Sequence, residues 1–410
     1  MAASSEVPRV TRAVSPHFYI LFRAFLGIYL AVHFFALVPV AAQLFSSGGM
    51  LPRVEELPTY PFFPNILFIV DQPIAATAFL FLLGVLSLVL ASGRSTAIVA
   101  VLLWYGWACL VTRNVFIRNP GMPYVGWILL ALPFIPTTTT LANGKPWDIP
   151  KPLYVTAWIL MSLGYTLSGI HKLQSPSWID GSALKFLFEN PLSRPTLMSE
   201  FLSSLPEVVL RIQTWGVLFL ETSFAFWAAW KPSRRWIWLA TVLMHIGIMV
   251  TVDFVDLTLG MLMIHLFTFD QRWIPSKRAQ QPITVFFDGV CNLCNKTVNA
   301  LMLEDVSRAL RFAPLQGETA AALLPATDRS DLPAGIVVAD EHGVSRNSDA
   351  VIRICEALGG VWRLAALAKF LPRSLREGLY LLIARNRYQL LGKRDTCRFP
   401  TPEERSLFLP

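Results

Sequence analysis

Charge is scarce in this sequence: Asp, Glu, Lys and Arg make up 15% of its 410 residues, where a soluble globular chain carries roughly a quarter. With 54% hydrophobic side chains and a mean hydropathy of +0.50, that shortage excludes an ordinary soluble enzyme of this length and points to a membrane portion. Cysteine is scarce too. The five cysteines, Cys109, Cys291, Cys294, Cys355 and Cys397, are too few and too scattered for a secreted disulfide framework, which is short and dense. The six histidines show no metal-ligand spacing. There is no tandem repeat or low-complexity tract. The amino-terminal apolar run lacks a small-residue cleavage site, so it reads as a retained membrane helix and not as a signal peptide. The net charge of +8 carries no nucleic-acid reading, because Lys and Arg of a membrane protein gather in cytoplasmic loops beside anionic lipid.

What the sequence does have is a series of apolar runs. Crossing the hydrocarbon core takes about 20 mostly apolar residues in a helix, since lipid offers no partner to backbone N–H and C=O groups. Eight segments approach that length, at 17–41, 73–91, 96–116, 121–136, 153–172, 208–230, 236–252 and 257–269, the fourth and eighth being short. The expected fold class is therefore a multi-pass α-helical membrane domain of about eight spans over residues 1–279, with the lipid bilayer as its first partner. Clusters such as "SSGGMLPR", "ANGKPWDIPKP" and "NPLSRP" read as the loops between spans. With the amino terminus inside, Arg9, Arg12, Arg94, Lys145, Lys151, Lys231, Arg234, Arg235, Arg272, Lys277 and Arg278 fall on the cytoplasmic side; Arg53, Arg113 and Arg118 are the exceptions outside. An even number of spans then puts both termini in the cytoplasm, with a cell membrane of the bacterial inner type as the location.

Polar residues within these runs face a cavity or a partner, because charge in lipid is costly. Arg23, Asp253 and Asp256 are expected near an interface; His33, His245, His265 and Glu221 are the others. Glu221 and His245 lie on consecutive spans and are expected to pair, as a proton relay, a quinone contact or a plain tie between helices.

Near residue 280 the composition changes: charged residues become frequent and apolar runs shrink to strand or short-helix length. Over 280–410 the pattern reads strand ("ITVFFDG"), helix ("NKTVNALMLEDV"), strand ("ALRFAPL"), short helix ("ETAAALL"), hairpin ("AGIVVAD", "GVSRNS") and helix ("DAVIRICEALGG"). That is the order of an α/β thioredoxin core. "DGVCNLC" follows the first strand, placing Cys291 in the strand-to-helix turn and Cys294 in the first helical turn. Unpaired N–H groups and the positive end of the helix dipole favour a thiolate there, at the more exposed cysteine. Cys291 would attack a substrate disulfide and Cys294 would resolve the mixed disulfide. Asp288 is placed either to accept the Cys294 proton or simply to cap the turn. Two alternatives stay open for the pair: half of a zinc site, with His342 and Cys397 as distant further ligands, or two idle thiols. Cys109 and Cys355 lie in apolar helical patterns and read as packing residues.

The runs "VFFDGVCNLCNKTVNAL", "RFAPLQGE", "SDAVIRICEALGG" and "ARNRYQLLGKRDTC" resemble the DCC family of thiol-disulfide oxidoreductases, named for its Asp-x-x-Cys-x-x-Cys signature, over 283–400. The resemblance puts the signature on Asp288, Cys291 and Cys294 and the family's further cysteine on Cys397, as a relay, a metal ligand or a structural residue. Pro333 takes the place where thioredoxins carry a cis-proline facing the pair. In the membrane half, "GYTLSGIHKLQSPSWIDGSALKFLFE", with "RNP" at Arg118 and "LETSFAFW" around Glu221, resembles the HTTM domain shared with vitamin K-dependent gamma-carboxylase, over 15–270. That resemblance implies Lys172 as a catalytic base, with Gly169, Trp178 and Gly181 as motif neighbours, and makes a quinone the one candidate cofactor. A desolvated lysine can serve as a base, and a lysine at a helix end can equally snorkel its charge to the interface. His171 stands where the carboxylase has a second lysine, and the large lumenal portion of that enzyme is lacking.

The leading expectation is thus a membrane-tethered thiol-disulfide oxidoreductase acting between a disulfide substrate and a thiol reductant. The others are a quinone-handling or carboxylase-like enzyme using Lys172, and a non-enzymatic membrane protein whose cysteine domain senses redox state.

Overall fold

A computed structural model describes residues 16–58, 60, 62–135, 149–274, 282–305, 308–325, 335–392, 400, 402 and 404–410. The chain divides into two compact units, Phe18–Asp270 and one built on Gln271–Pro410.

The first unit is helical. Its principal helices are α1 (Pro16–Leu37), α2 (Pro73–Ser92), α3 (Thr96–Arg113), α4 (Met122–Ala131), α5 (Lys151–Lys172), α6 (Glu207–Thr222), α7 (Phe224–Ala229), α8 (Lys231–Thr251) and α9 (Val255–Thr268). Among the described residues four helices are long and apolar enough to cross a membrane: His17–Phe45, Pro73–Ser92, Thr96–Arg113 and Lys151–Lys172. All eight expected segments contain helix, but a count of eight spans is not shown, for identifiable reasons. Met122–Phe134 and Val255–Thr268 are too short. The run 208–230 is interrupted between α6 and α7, where the hydroxyls of Thr222 and Ser223 bond back to the carbonyls of Leu218 and Phe219 and favour a bend. The start of α8 carries Lys231, Arg234 and Arg235.

Small residues let these helices approach closely. A Cβ on Gly27 of α1 would come within 2.6 Å of the Ala91 amide on α2, and one on Gly169 of α5 within 2.6 Å of the Thr222 amide on α6. Such contacts hold helices together where burial of apolar surface gives little drive.

In the second unit a four-stranded mixed sheet has the order β2–β1–β3–β4, from β1 (Ile283–Phe287), β2 (Leu310–Pro314), β3 (Val337–Asp340) and β4 (Gly343–Arg346). β1 pairs with β2 in parallel, with Ile283 opposite Leu310, and β3 pairs antiparallel with β1 and β4. The parallel pair needs a crossover, which α10 (Asn292–Glu304) supplies; α11 (Glu318–Leu323) and α12 (Asn347–Leu358) follow in the expected order. Strand side chains alternate between faces. Val285, Phe287, Leu310, Phe312 and Val338 pack with Val298 and Ile354 on one face, and Phe286, Ala313 and Val337 with Leu315 and Ala320 on the other. The Leu409 amide bonds to the Phe312 carbonyl and Phe408 packs on Phe312, so residues near the carboxyl end cover the outer edge of β2.

A long helix, α13 (Arg373–Leu391), closes this unit. It docks on α12 through Glu377, whose carboxylate accepts from Asn347 Nδ2 and Ser348 Oγ, each at 2.6 Å, and through an Arg376–Asp349 ion pair at 2.5 Å. Burial pushes the Glu377 carboxyl up, but these hydrogen bonds outweigh it and leave it below its ordinary value. A carboxyl depressed in the fold contributes stability that is complete above its unfolded value of about 4.3 and is lost as pH falls through the folded value. The unit's unfolding temperature is therefore expected to fall below about pH 4, and Glu377→Gln to flatten that acid limb. Asp340, which Arg353 holds below its ordinary value against the push of burial, keeps part of the limb. An acid limb identical in Glu377→Gln and the parent chain rejects this account.

Candidate functional site

The turn after β1 builds the site. Asp288 leaves the strand and its Oδ1 accepts from the Val290 amide at 3.1 Å, while its carbonyl accepts from the Cys291 amide at 3.2 Å. The capping role expected of Asp288 is thus present. Cys291 is the N-cap of α10, and its Sγ accepts from the Cys294 amide at 3.3 Å. Ser, Thr, Asp and Asn usually fill that position because their oxygens satisfy an orphan amide. Here a sulfur does so, at the positive end of the helix dipole. Asn295 fastens the turn by donating from Nδ2 to the Gly289 carbonyl at 2.9 Å.

Accessibility runs against one expectation. Cys291 was expected to be the more exposed thiol, yet it is 0% exposed and Cys294 is 9% exposed. As the cap, Cys291 turns its sulfur back over the helix start and joins the apolar cluster of Val285, Phe287 and Phe312. Burial pushes the Cys294 thiol far above its ordinary value, the adjacent Cys291 and the Asp288 carboxylate push the same way, and Arg387 opposes them. Cys294 is therefore held as a thiol. Cys355 is buried on α12 and burial pushes its thiol up to about 11, which fits a packing residue. Among the described residues no group of three or more His, Cys, Asp or Glu converges on a possible metal position. Cys397 and Pro333 lie outside the described residues.

Sequence reasoning missed what α13 brings to this turn. The Tyr388 hydroxyl donates to Asp288 Oδ2, and Arg387 Nη2 lies 3.5 Å from the same oxygen and 3.2 Å from the Tyr388 hydroxyl. Tyr380 of the same helix accepts from the Ile336 amide at 2.8 Å, just before β3. Arg387 and Tyr388 sit inside the run "ARNRYQLLGKRDTC", but nothing local to that run tells where its side chains return.

In the helical unit Lys172 ends α5. Its Nζ lies 2.5 Å from Glu221 Oε2, donates to Ser168 Oγ at 2.8 Å and stands 5.1 Å from the centre of the Trp178 ring. Gly181, at φ +84°, is where a Cβ would meet Arg211 at 2.9 Å. Of the motif residues, Gly169 and Trp178 thus pack around the Lys172–Glu221 ion pair, while Gly181 meets α6 further toward its start. The expected Glu221–His245 pair is not formed, since Glu221 is taken by Lys172. His245 instead shares a 2.7 Å hydrogen bond with the Tyr165 hydroxyl, which is also 3.3 Å from His265 Nε2. His33, Tyr29 and Asn119 converge on Asp256 at 2.7 to 2.9 Å, and Arg194 pairs with Asp253 at 2.8 Å. Arg23 is buried against Gly93.

Comparison with a known family bears on the second unit. A family model described as DCC1-like thiol-disulfide oxidoreductase matches residues 285–393. The uncharacterized protein YuxK of Bacillus subtilis is 38% identical over 130 residues, 31% of this chain and 93% of its own length. A chloroplastic DCC family protein of Arabidopsis thaliana is 35% identical over 121 residues, 29% of this chain and 69% of its own. No solved structure matches. The matched stretch begins within β1, takes in both cysteines and ends just past the helix that returns to Asp288, and through it the chain belongs to the DCC1-like thiol-disulfide oxidoreductase family.

Proposed function

We propose that the chain is a membrane-tethered thiol-disulfide oxidoreductase in which Cys291 is the nucleophile, Cys294 the resolving thiol and Asp288 the proton acceptor beside them. The observation that carries this reading is the N-cap geometry: one sulfur receives the Cys294 amide at the head of α10 while the other stays a buried thiol one turn inside. The Cys291 sulfur attacks a substrate disulfide; the substrate S–S bond breaks, one half leaves as a thiolate and the other stays bonded to Cys291. Cys294 then gives up its proton and attacks Cys291, which releases the second half. Two electrons pass from the dithiol to the substrate, and a thiol reductant restores them. The strand order and the parallel β1–β2 pair support a thioredoxin-like reading of the unit, and the four apolar helices support tethering in a bilayer. The charge pattern supports placing both termini in the cytoplasm, where reducing thiols abound.

For the helical unit we keep the HTTM-like reading as a reading of its motif. The three partners of Lys172 are those a cation takes, which favours an ion pair over a base acting on a quinone.

The test is a glutathione redox titration of the purified full chain in detergent, followed by peptide mapping. A reversible disulfide joining Cys291 to Cys294, and turnover with a model disulfide and external thiol, are expected. A pair that forms no mutual disulfide at any glutathione ratio overturns the proposal.

A further inference from the structure

Asp288 is 3% exposed and Arg387 6%, and both are charged groups beside a sulfur pair in an apolar core. A buried charge is tolerated where it is paired and hydrogen-bonded, and here the pairing is unequal. Asp288 Oδ1 is committed to the turn through the Val290 amide. Its Oδ2 receives the Tyr388 hydroxyl and faces Arg387, whose Nη2 also donates to Tyr388 and whose Nη1 donates to the Ala384 carbonyl at 3.0 Å. The guanidinium lies over the Tyr388 ring, 4.5 Å from its centre. Two consecutive residues of α13 thus grip the one carboxylate oxygen that the turn leaves over. Structural docking of α13 does not need this grip, because Glu377, Arg376 and Tyr380 already fix the helix at the other end.

We infer that Arg387 and Tyr388 are positioning residues for the second half of the disulfide exchange, holding the Asp288 carboxylate so that it can take the proton from Cys294 as Cys294 attacks the mixed disulfide. This rests on the reading of Cys291 and Cys294 given above. In that step the Cys294 S–H proton passes to Asp288 and the Cys294 sulfur bonds to the Cys291 sulfur. The bond from Cys291 to the substrate sulfur breaks, and the departing thiolate takes the proton from Asp288. No net charge is left behind. Among the described residues, the groups that face Cys294 are Cys291 and Asp288 from the turn and Arg387 with Tyr380 from α13; Tyr388 reaches it through Asp288. Of these only Arg387 carries positive charge, so its removal makes the Cys294 proton harder to lose. Tyr388 acts in the same sense by spreading the carboxylate charge into a hydrogen bond.

The experiment follows the two steps separately in the full chain in detergent, with a chromogenic aromatic disulfide as the probe. In a Cys294→Ser background, release of the first thiol reports attack by Cys291; with Cys294 present, release of the second reports resolution. Arg387→Met is expected to leave the first step within about twofold and to move the pH dependence of the second step upward by about 1 unit. That is about tenfold in rate at neutral pH, the size of effect of a neighbouring opposite charge. Arg387→Lys keeps the charge and is expected to recover most of the profile. Tyr388→Phe, which removes one hydroxyl, is expected to move the profile in the same direction and decides the matter if Arg387→Met does not fold. Resolution profiles unchanged in Tyr388→Phe and in folded Arg387→Met overturn the inference while leaving the cysteine roles intact. A Cys294→Ser chain that releases no first thiol overturns the cysteine roles themselves.

Discussion

Cys294→Ser is expected to cut turnover with a model disulfide and external thiol sharply and, when no external thiol is added, to leave a stable mixed disulfide on Cys291. As N-cap, the Cys291 sulfur is the one that meets the helix amide and the positive end of the dipole. Cys294, one turn on, is the sulfur within reach of Cys291 and is held as a thiol until its proton is taken. Serine at 294 can still offer its amide to Cys291, so attack survives, but it has no sulfur with which to displace the substrate. The adduct should be visible by intact mass and should vanish in Cys291→Ser. Cys355→Ser, in the packing position on α12, should turn over as the parent does. The burial of Cys291 makes the reverse outcome informative. If Cys291→Ser accumulates an adduct on Cys294, the slightly more accessible thiol is the nucleophile and the two roles exchange.

The sheet and its cysteine turn were legible because their signals are local. "ITVFFDG" alternates little and is buried on both faces, as a strand next to a parallel neighbour should be, and "DGVCNLC" fixes a turn and a helix start within seven residues. Arg387 and Tyr388 were not legible, since they meet Asp288 across 99 and 100 residues of chain; only the docking of α13 brings them there. Hydropathy found the apolar helices but treated 208–230 as one span, because an average over side chains does not register Thr222 and Ser223 turning their hydroxyls onto carbonyls one turn back. The same blindness misassigned Glu221. On consecutive spans it read as a partner of His245, whereas the close approach of α5 and α6 at Gly169 sets it against Lys172.

That ion pair yields the second large effect: Lys172→Met is expected to destabilise the helical unit by roughly 3 kcal/mol, the lower end for removal of one partner from a buried pair. The two partners are not equivalent. Glu221 has a side chain 8% exposed, Lys172 one 23% exposed at the end of its helix. Without Lys172 the Glu221 carboxylate is left buried and unpaired, and its desolvation is uncompensated. Without the Glu221 charge, Lys172 keeps Ser168 and the Trp178 face and its long chain can carry the ammonium toward water. Glu221→Gln should therefore cost about 1 kcal/mol, the scale of one hydrogen bond. Lys172→Met combined with Glu221→Leu, which leaves no buried charge, should recover most of the loss, as replacement of buried ion pairs by apolar residues does elsewhere. Thermal unfolding of the four chains in one detergent measures these three costs against the parent. The same double variant separates packing from chemistry: it lacks the amine but keeps the packing, so a stable chain with undiminished disulfide turnover assigns Lys172 to structure in that reaction. A double variant less stable than Lys172→Met alone would show that the pair is not what holds α5 to α6, and would sink the argument from burial.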